Sequence, residues 1–336
     1  MPFFTNGMKK NKLKKRLVEL VTKTVVMTGR LKQKFLTVHT RPMYAKNMPY
    51  QAERAAADES CAILLQGPIK KEYRFTLETV KIYLKQYPAA IIILSTWEDE
   101  DTQEFENLAA SKSNVKIVRT PKPGFGGPGN VNMQVASTLA GIKCAKDLGL
   151  AFVCKTRTDQ RMYGIKNLQF LINMLNIFPL APGIKQKKRI VGINITTTLR
   201  YTPYHLSDTW MFGTTQDLFM YWDFGYVATP ALDPRRPLIE RSLFINFLKK
   251  TNWDIKDTME DFLKALGERC IVVGNESIDL YWPKYYERFR EYRIRDYQFP
   301  DLEISLKEWF NKAFMPSWKK GLGSKGQNAA EKNHAS

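Results

Sequence analysis

Residues 90–94 read Ala-Ile-Ile-Ile-Leu, and no other stretch limits the possible folds as much. Successive side chains of a strand point to opposite faces, so this segment is apolar on both. It is stable only where both faces are covered, as in a parallel sheet between layers of helices. Similar apolar runs occur at Cys61–Leu65, Val115–Val118 and Leu150–Lys155. Between the first two runs, Phe75, Leu77, Val80, Ile82, Tyr83 and Leu84 recur at helical spacing and stop before Pro88. A second helix is expected from about Asn130 to Asp147. Strand alternating with helix predicts an α/β fold, a mostly parallel central sheet flanked by helices.

Beyond residue 160 the alternation loosens. Helices are expected near 166–176, 215–222, 240–250 and 258–267, and strands near 189–194, 210–213 and 270–273. No internal repeat or Ser/Gly linker divides the chain of 336 residues. One domain over 51–318 is therefore expected, after a basic segment 1–50 and before a disordered basic tail 319–336.

The formal net charge is +19, and it is unevenly spread. Residues 1–50 carry +11 and residues 316–336 carry +3, which leaves the long middle with +5. A nucleic-acid enzyme carries its basic charge on the face that meets phosphate. This distribution argues against a nucleic-acid partner. Within the basic segment, Leu13, Leu17, Leu20, Val21, Val25, Leu31 and Phe35 predict an amphipathic helix over about 11–36, with residues 1–10 disordered. No continuous apolar core or small-residue cleavage site marks it as a signal peptide. An anionic membrane surface is the expected partner, with each Lys or Arg contributing roughly 1 kcal/mol. A helix packed on the body is the alternative.

Cys61, Cys144, Cys154 and Cys270 form no CxxC, and reduced, mostly buried thiols are expected, as on a cytoplasmic face. The histidines are His39, His205 and His334, too few for a His-rich metal site. No GxSxG elbow accompanies His205 to suggest a hydrolase. Gly124, Gly126 and Gly129 match a dinucleotide spacing, but four residues separate the motif from its strand. A loop near a site fits better.

In an open α/β sheet, ligands bind beyond the carboxyl ends of the strands. Gln66, Ser95, Thr96, Trp97, Arg157 and Asp159 are placed there by the expected strands. Asn130 and Asn132 open the next helix and are candidates to cap it or to border a phosphate site. Asp159 is a candidate ligand for Mg²⁺ or Mn²⁺ bridging a diphosphate. Arg157 stands where an Asp-x-Asp pair would put its first carboxylate, so it could pair with a nearby acid or neutralise phosphate itself. Asp208 and Glu240 are both candidates to take the proton of an acceptor hydroxyl. Trp97, Tyr201, Tyr204, Trp210, Trp222 and Tyr226 are either sugar-stacking or core aromatics.

These pieces, in this order, resemble the WavE lipopolysaccharide-synthesis family of bacterial glycosyltransferases. The matching stretches are Leu65-Gln66-Gly67-Pro68, Leu94-Ser95-Thr96-Trp97-Glu98, Asn130-Val131-Asn132-Met133-Gln134 and Lys155-Thr156-Arg157-Thr158-Asp159. Ser207-Asp208-Thr209-Trp210 extends the match. The resemblance implies a GT-A-like (nucleotide-diphospho-sugar transferase) fold and a nucleotide-sugar donor. It also implies a lipopolysaccharide, capsule or lipid-linked glycan acceptor. By that resemblance, Gln66, Gly67 and Pro68 line the nucleotide end, and Asp159 stands where such enzymes place a metal-binding acid. Leaving-group charge would then fall to a metal or to Lys155 and Arg157. The expected place of action is the inner face of a bacterial cytoplasmic membrane. A non-catalytic scaffold of a glycan-assembly complex is the alternative.

Overall fold

The structure is a computed structural model that describes residues 4–31, 40–194, 202–227, 239–284 and 304–311. The chain divides into two units, Met1–Pro42 and Met43–Ser336. The first contains α1 (Phe4–Leu31), which begins earlier than the expected start near Asn11. Residues 4–10 are thus helical rather than disordered. Lys and Met are strong helix formers, and no proline interrupts 4–31. Leu17, Val18, Leu20, Val21, Val25, Met27 and Leu31 are exposed. The expected end of this helix at 32–36 and the tail 319–336 lie outside the described residues.

The second unit starts before the expected boundary at residue 50. Ala45 is buried in its core, and the Ala45 amide donates to Glu78 Oε2 at 2.8 Å. A short helix α2 (Ala56–Glu59) leads into β1 (Cys61–Gln66), α3 (Phe75–Gln86), β2 (Ile91–Trp97), α4 (Gln103–Ser111) and β3 (Val115–Thr120). Next come α5 (Val131–Asp147), β4 (Phe152–Arg157), the short β5 (Arg161–Met162) and α6 (Asn167–Ile177). The last part holds β6 (Ile190–Ile193), β7 (Met211–Thr214), α7 (Thr215–Trp222), α8 (Ile239–Lys250), α9 (Met259–Arg269), β8 (Cys270–Val273) and β9 (Leu280–Tyr281).

The main sheet has seven strands in the order β3-β2-β1-β4-β7-β6-β8. β1, β2, β3 and β4 pair in parallel, and so do β6 and β8. β7 runs antiparallel to both neighbours, β4 and β6. The mostly parallel sheet flanked by helices is as expected. The apolar runs of β1 and β2 lie at its centre and are almost wholly buried, which is why they carry no polar alternation. Gly141 in α5 lets that helix close on β1: a Cβ there would sit 2.2 Å from Leu64 Cδ1. The four cysteines are free thiols, three of them buried. No helix among the described residues is long and apolar enough to cross a membrane.

Two features were not legible in the sequence. α4 follows the acidic run 98–101, and the β5–β9 pair joins residues more than a hundred positions apart.

Candidate functional site

The strand register decides which of the expected site residues share a face. Gln66 is level with Ser95 on β2 and with Arg157 on β4, and Leu64 is level with Lys155. Aligned residues of parallel strands point the same way. Gln66, Ser95, Lys155 and Arg157 therefore share the face that α5 covers. Ser95 and Thr96 lie within β2 rather than past its end as expected, because the strand continues through them to Trp97. Gln66 Nε2 donates to Ser137 Oγ at 2.9 Å, and Ser95 Oγ donates to the Ser137 carbonyl at 2.6 Å. Both side chains are thereby tied to α5. Thr96 points to the opposite face, is buried and has an unpartnered hydroxyl.

Gly67 has φ +117°, a conformation that side chains rarely adopt, and it turns the chain sharply after β1. Thr158 Oγ1 donates to the Pro68 carbonyl at 2.5 Å, so the ends of β1 and β4 are locked together. Trp97 is buried and serves as core. Tyr204, Trp210 and Trp222 are buried as well, Tyr226 is exposed, and Tyr201 lies outside the described residues. Asn130 is exposed with φ 61°, and its side chain does not cap α5. Asn132 is the residue that braces the loop. Its amide donates to the Phe125 and Val227 carbonyls, and its oxygen accepts from the Val227 amide. These bonds pin the 121–130 loop to the segment after α7.

Lys155 is fully buried, and Nζ donates to the Asp208 carbonyl at 2.6 Å. Nζ also lies 4.6 Å from the centre of the Trp222 ring. Burial pushes the ammonium down to about 7, against the attraction of Asp208. Arg157 grips Asp159 fork to carboxylate: Nε to Oδ1 at 2.8 Å and Nη2 to Oδ2 at 3.1 Å. The guanidinium also lies 5.3 Å from the Trp282 ring centre. Burial opposes charge on Asp159, but Arg157 outweighs it, with the Trp282 indole assisting, and holds the carboxyl below the usual carboxylate range. Both oxygens of Asp159 are thus already engaged. Among the described residues no group of three His, Cys, Asp or Glu side chains gathers to hold a metal ion. A Mg²⁺ bridging a diphosphate takes only one or two protein carboxylates, its other ligands being phosphate oxygens and water.

Asp208 precedes β7, next to the end of β4. It is 2% exposed, and its Oδ2 has no hydrogen-bond partner. Burial, joined by the charge of Glu240, pushes its carboxyl up to about 6, while Lys155, Arg157 and His205 pull the other way. Glu240, in the first turn of α8, stands 3.7 Å from His205 Nε2. Burial opposes its charge too, but His205 and the backbone N–H of Glu240 hold the carboxyl below its usual range. Tyr221 of α7 is fully buried with an unpartnered hydroxyl, and Asp208 and Glu240 add to the burial that keeps it neutral. The two acids that the sequence could not rank are therefore electrostatic neighbours with carboxyl pKa values pushed apart.

The family model described as WavE lipopolysaccharide synthesis matches residues 61–268, which is more than half of the chain and contains the site residues from Gln66 to Glu240. The chain belongs to the WavE family. Among solved structures, it is similar to 4-diphosphocytidyl-2C-methyl-D-erythritol synthase from Anaerococcus prevotii. That match has 15% identity and a TM-score of 0.39, and covers 66% of this chain and 89% of the other. A cytidylyltransferase from Leptospira borgpetersenii is similar at 13% identity and a TM-score of 0.31, covering 62% and 85%. No curated protein matches the chain.

In this WavE chain, sequence reasoning missed His205 as a member of the site. It is three residues from Asp208, but its meaning lies in its partner on α8, far along the chain. Tyr221 was equally hidden, since a tyrosine inside a helical apolar pattern reads as core. The Asp159 carboxylate was found, and the structure adds that it pairs with Arg157.

Proposed function

We propose that this WavE-family chain is a glycosyltransferase, of the hexosyl type, that moves a sugar from a nucleotide-sugar donor to a lipopolysaccharide or capsule glycan. The observation that carries this proposal is Asp208: a deeply buried carboxyl with an unpartnered oxygen, next to the cations at the end of β4. A carboxyl near 6 is ionised at neutral pH, yet basic enough to accept a hydroxyl proton efficiently. As the acceptor oxygen bonds to the anomeric carbon, its proton passes to Asp208. The bond from that carbon to phosphate breaks, and the diphosphate leaves with the electron pair. Arg157 and Lys155 face the charge that develops there. The turn Gln66-Gly67-Pro68 borders the nucleotide end, with Ser95 behind it. Glu240 supports Asp208 by charge rather than taking the proton, because its own carboxyl is held lower.

The acceptor would be lipid-linked, and α1 supports work at a membrane. Its charge is divided along the axis: Lys9, Lys10, Lys12, Lys14, Lys15 and Arg16 come first, and the exposed apolar residues from Leu17 to Leu31 follow. Basic residues meet anionic headgroups while apolar ones enter the acyl boundary. The cytoplasmic face suits the reduced thiols.

A thermal-shift screen of UDP, GDP and CMP sugars, each with Mn²⁺, with Mg²⁺ and with chelator, tests the donor. At least one nucleotide sugar is expected to raise Tm. No shift with any of them would favour the non-catalytic scaffold instead. For the membrane, deletion of 1–36 is expected to release the protein from anionic liposomes, and retained binding would remove that role.

A further inference from the structure

His205 is one of the most unusual side chains in the molecule. It is 2% exposed, and neither ring nitrogen has a hydrogen-bond partner. At 3.7 Å the approach of Nε2 to Glu240 Oε2 is too long for a hydrogen bond but close enough for strong charge coupling. A buried polar group left unpaired costs free energy.

The position of the ring is enforced. Tyr204, the residue before it, is fully buried with φ 61°, in the left-handed region that bulky side chains avoid. Its hydroxyl donates to Asp261 of α9, and its ring packs against Phe244 of α8 and Phe262 of α9. Arg241 lies over the same ring at 5.9 Å. One aromatic wedge thus ties the 202–210 segment to α8, whose first turn carries Glu240. Strained backbone beside an unsatisfied buried ring, facing a carboxylate, is a prepared arrangement.

We propose that His205 is a positioning residue that faces Glu240, acts within electrostatic reach of Asp208, and sets how readily Asp208 holds a negative charge when the acceptor arrives. It rests on glycosyl transfer as the reaction and adds the group that tunes the base. The groups coupled to Asp208 by charge are Lys155 and Arg157 from β4, Glu240 from α8, Tyr221 from α7 and His205 in its own segment. Glu240 raises the Asp208 carboxyl, whereas His205, Lys155 and Arg157 lower it. His205 therefore works against the repulsion between the two acids. Without it, Asp208 keeps its proton to higher pH.

The test uses the full-length protein and His205→Gln. The carboxyl ¹³C resonances of Asp208 and Glu240 are followed through the acid range, beside the pH profile of kcat/KM for sugar transfer. The Asp208 midpoint and the acidic limb of the profile are both expected to move upward, by about one pH unit, the scale of a nearby opposite charge. Tm is expected to hold or rise in His205→Phe, since an unmet buried polar group is removed. Unmoved carboxyl midpoints in His205→Gln would overturn the proposal. So would a lowered Tm with an unchanged acidic limb, the mark of a core histidine. Midpoints that shift in a protein that turns over no nucleotide sugar would support the coupling and sink glycosyl transfer alone.

Discussion

Arg157 and Asp159 meet fork to carboxylate at 2.8 and 3.1 Å, whereas His205 and Glu240 stand 3.7 Å apart with the imidazole otherwise unpartnered. The first pair is satisfied and the second is not. A satisfied ion pair holds its charges in place and keeps both ionised, so its chemistry is confined to presenting a cation. An unsatisfied buried group stores free energy that a substrate can release by completing its bonds. Asp208 lies between the two regimes. Its main chain is bonded by Lys155, while one carboxyl oxygen has no partner. The reacting group is therefore expected among the acids before β7 and on α8, and the charge-neutralising groups at the end of β4.

The sharpest way to break that contrast is Asp208→Asn. Loss of the base is expected to lower kcat by about 10²–10⁴-fold, with donor affinity and circular dichroism retained. Turnover within a few-fold of wild type would move the chemistry elsewhere. Arg157→Ala comes next. It leaves the half-buried Asp159 without its fork, and a loss of about 1–3 kcal/mol in denaturant unfolding is expected, together with weaker nucleotide-sugar binding. Unaltered stability would mean that the clamp is not a structural contact.

A third measurement concerns Lys155, whose ammonium burial takes down to about 7 from an ordinary 10.5. Between those values the folded chain binds fewer protons than the unfolded one, so this group makes stability rise with pH across that window. Lys155→Met is expected to flatten that part of the Tm profile. A slope equal to that of wild type would show that Lys155 is not the group responsible. The smallest effect is expected for Asp159→Asn assayed with Mn²⁺ or with chelator. The amide still pairs with Arg157, so transfer is expected to fall about 10-fold or less, a single hydrogen bond's worth, and to be the same in both media. Strict Mn²⁺ dependence that vanishes in Asp159→Asn would make Asp159 a metal ligand.

Much of the fold could be read from local patterning. The apolar runs of β1 and β2, the helical spacing of α3 and the complete span of α7 follow from periodicity that short-range sterics enforce. β8 was equally plain, because Cys-Ile-Val-Val admits little but a buried strand. What escaped notice lacked such a signal. The β5–β9 pair has two residues on each side, and Asn132 looks like a helix cap until Val227 is placed beside it. Ser95 and Thr96 read as lying past the end of the strand because polar residues rarely lie inside a buried one. Only the Ser137 carbonyl of α5 makes Ser95 comfortable there.

The residues of the site itself divide the same way. The sequence alone determined the α/β class, the family, and the candidacy of Gln66, Lys155, Arg157, Asp159, Asp208 and Glu240, since each follows from a residue type at the end of a legible element. Tertiary structure decided what each one meets. It joined Arg157 to Asp159, set Asp208 against Glu240 and Lys155, and enclosed His205 beside an acid on a distant helix. Those outcomes turn on distances of a few ångströms between groups far apart in the chain. Charge coupling and desolvation depend steeply on such distances, and a one-dimensional pattern does not contain them.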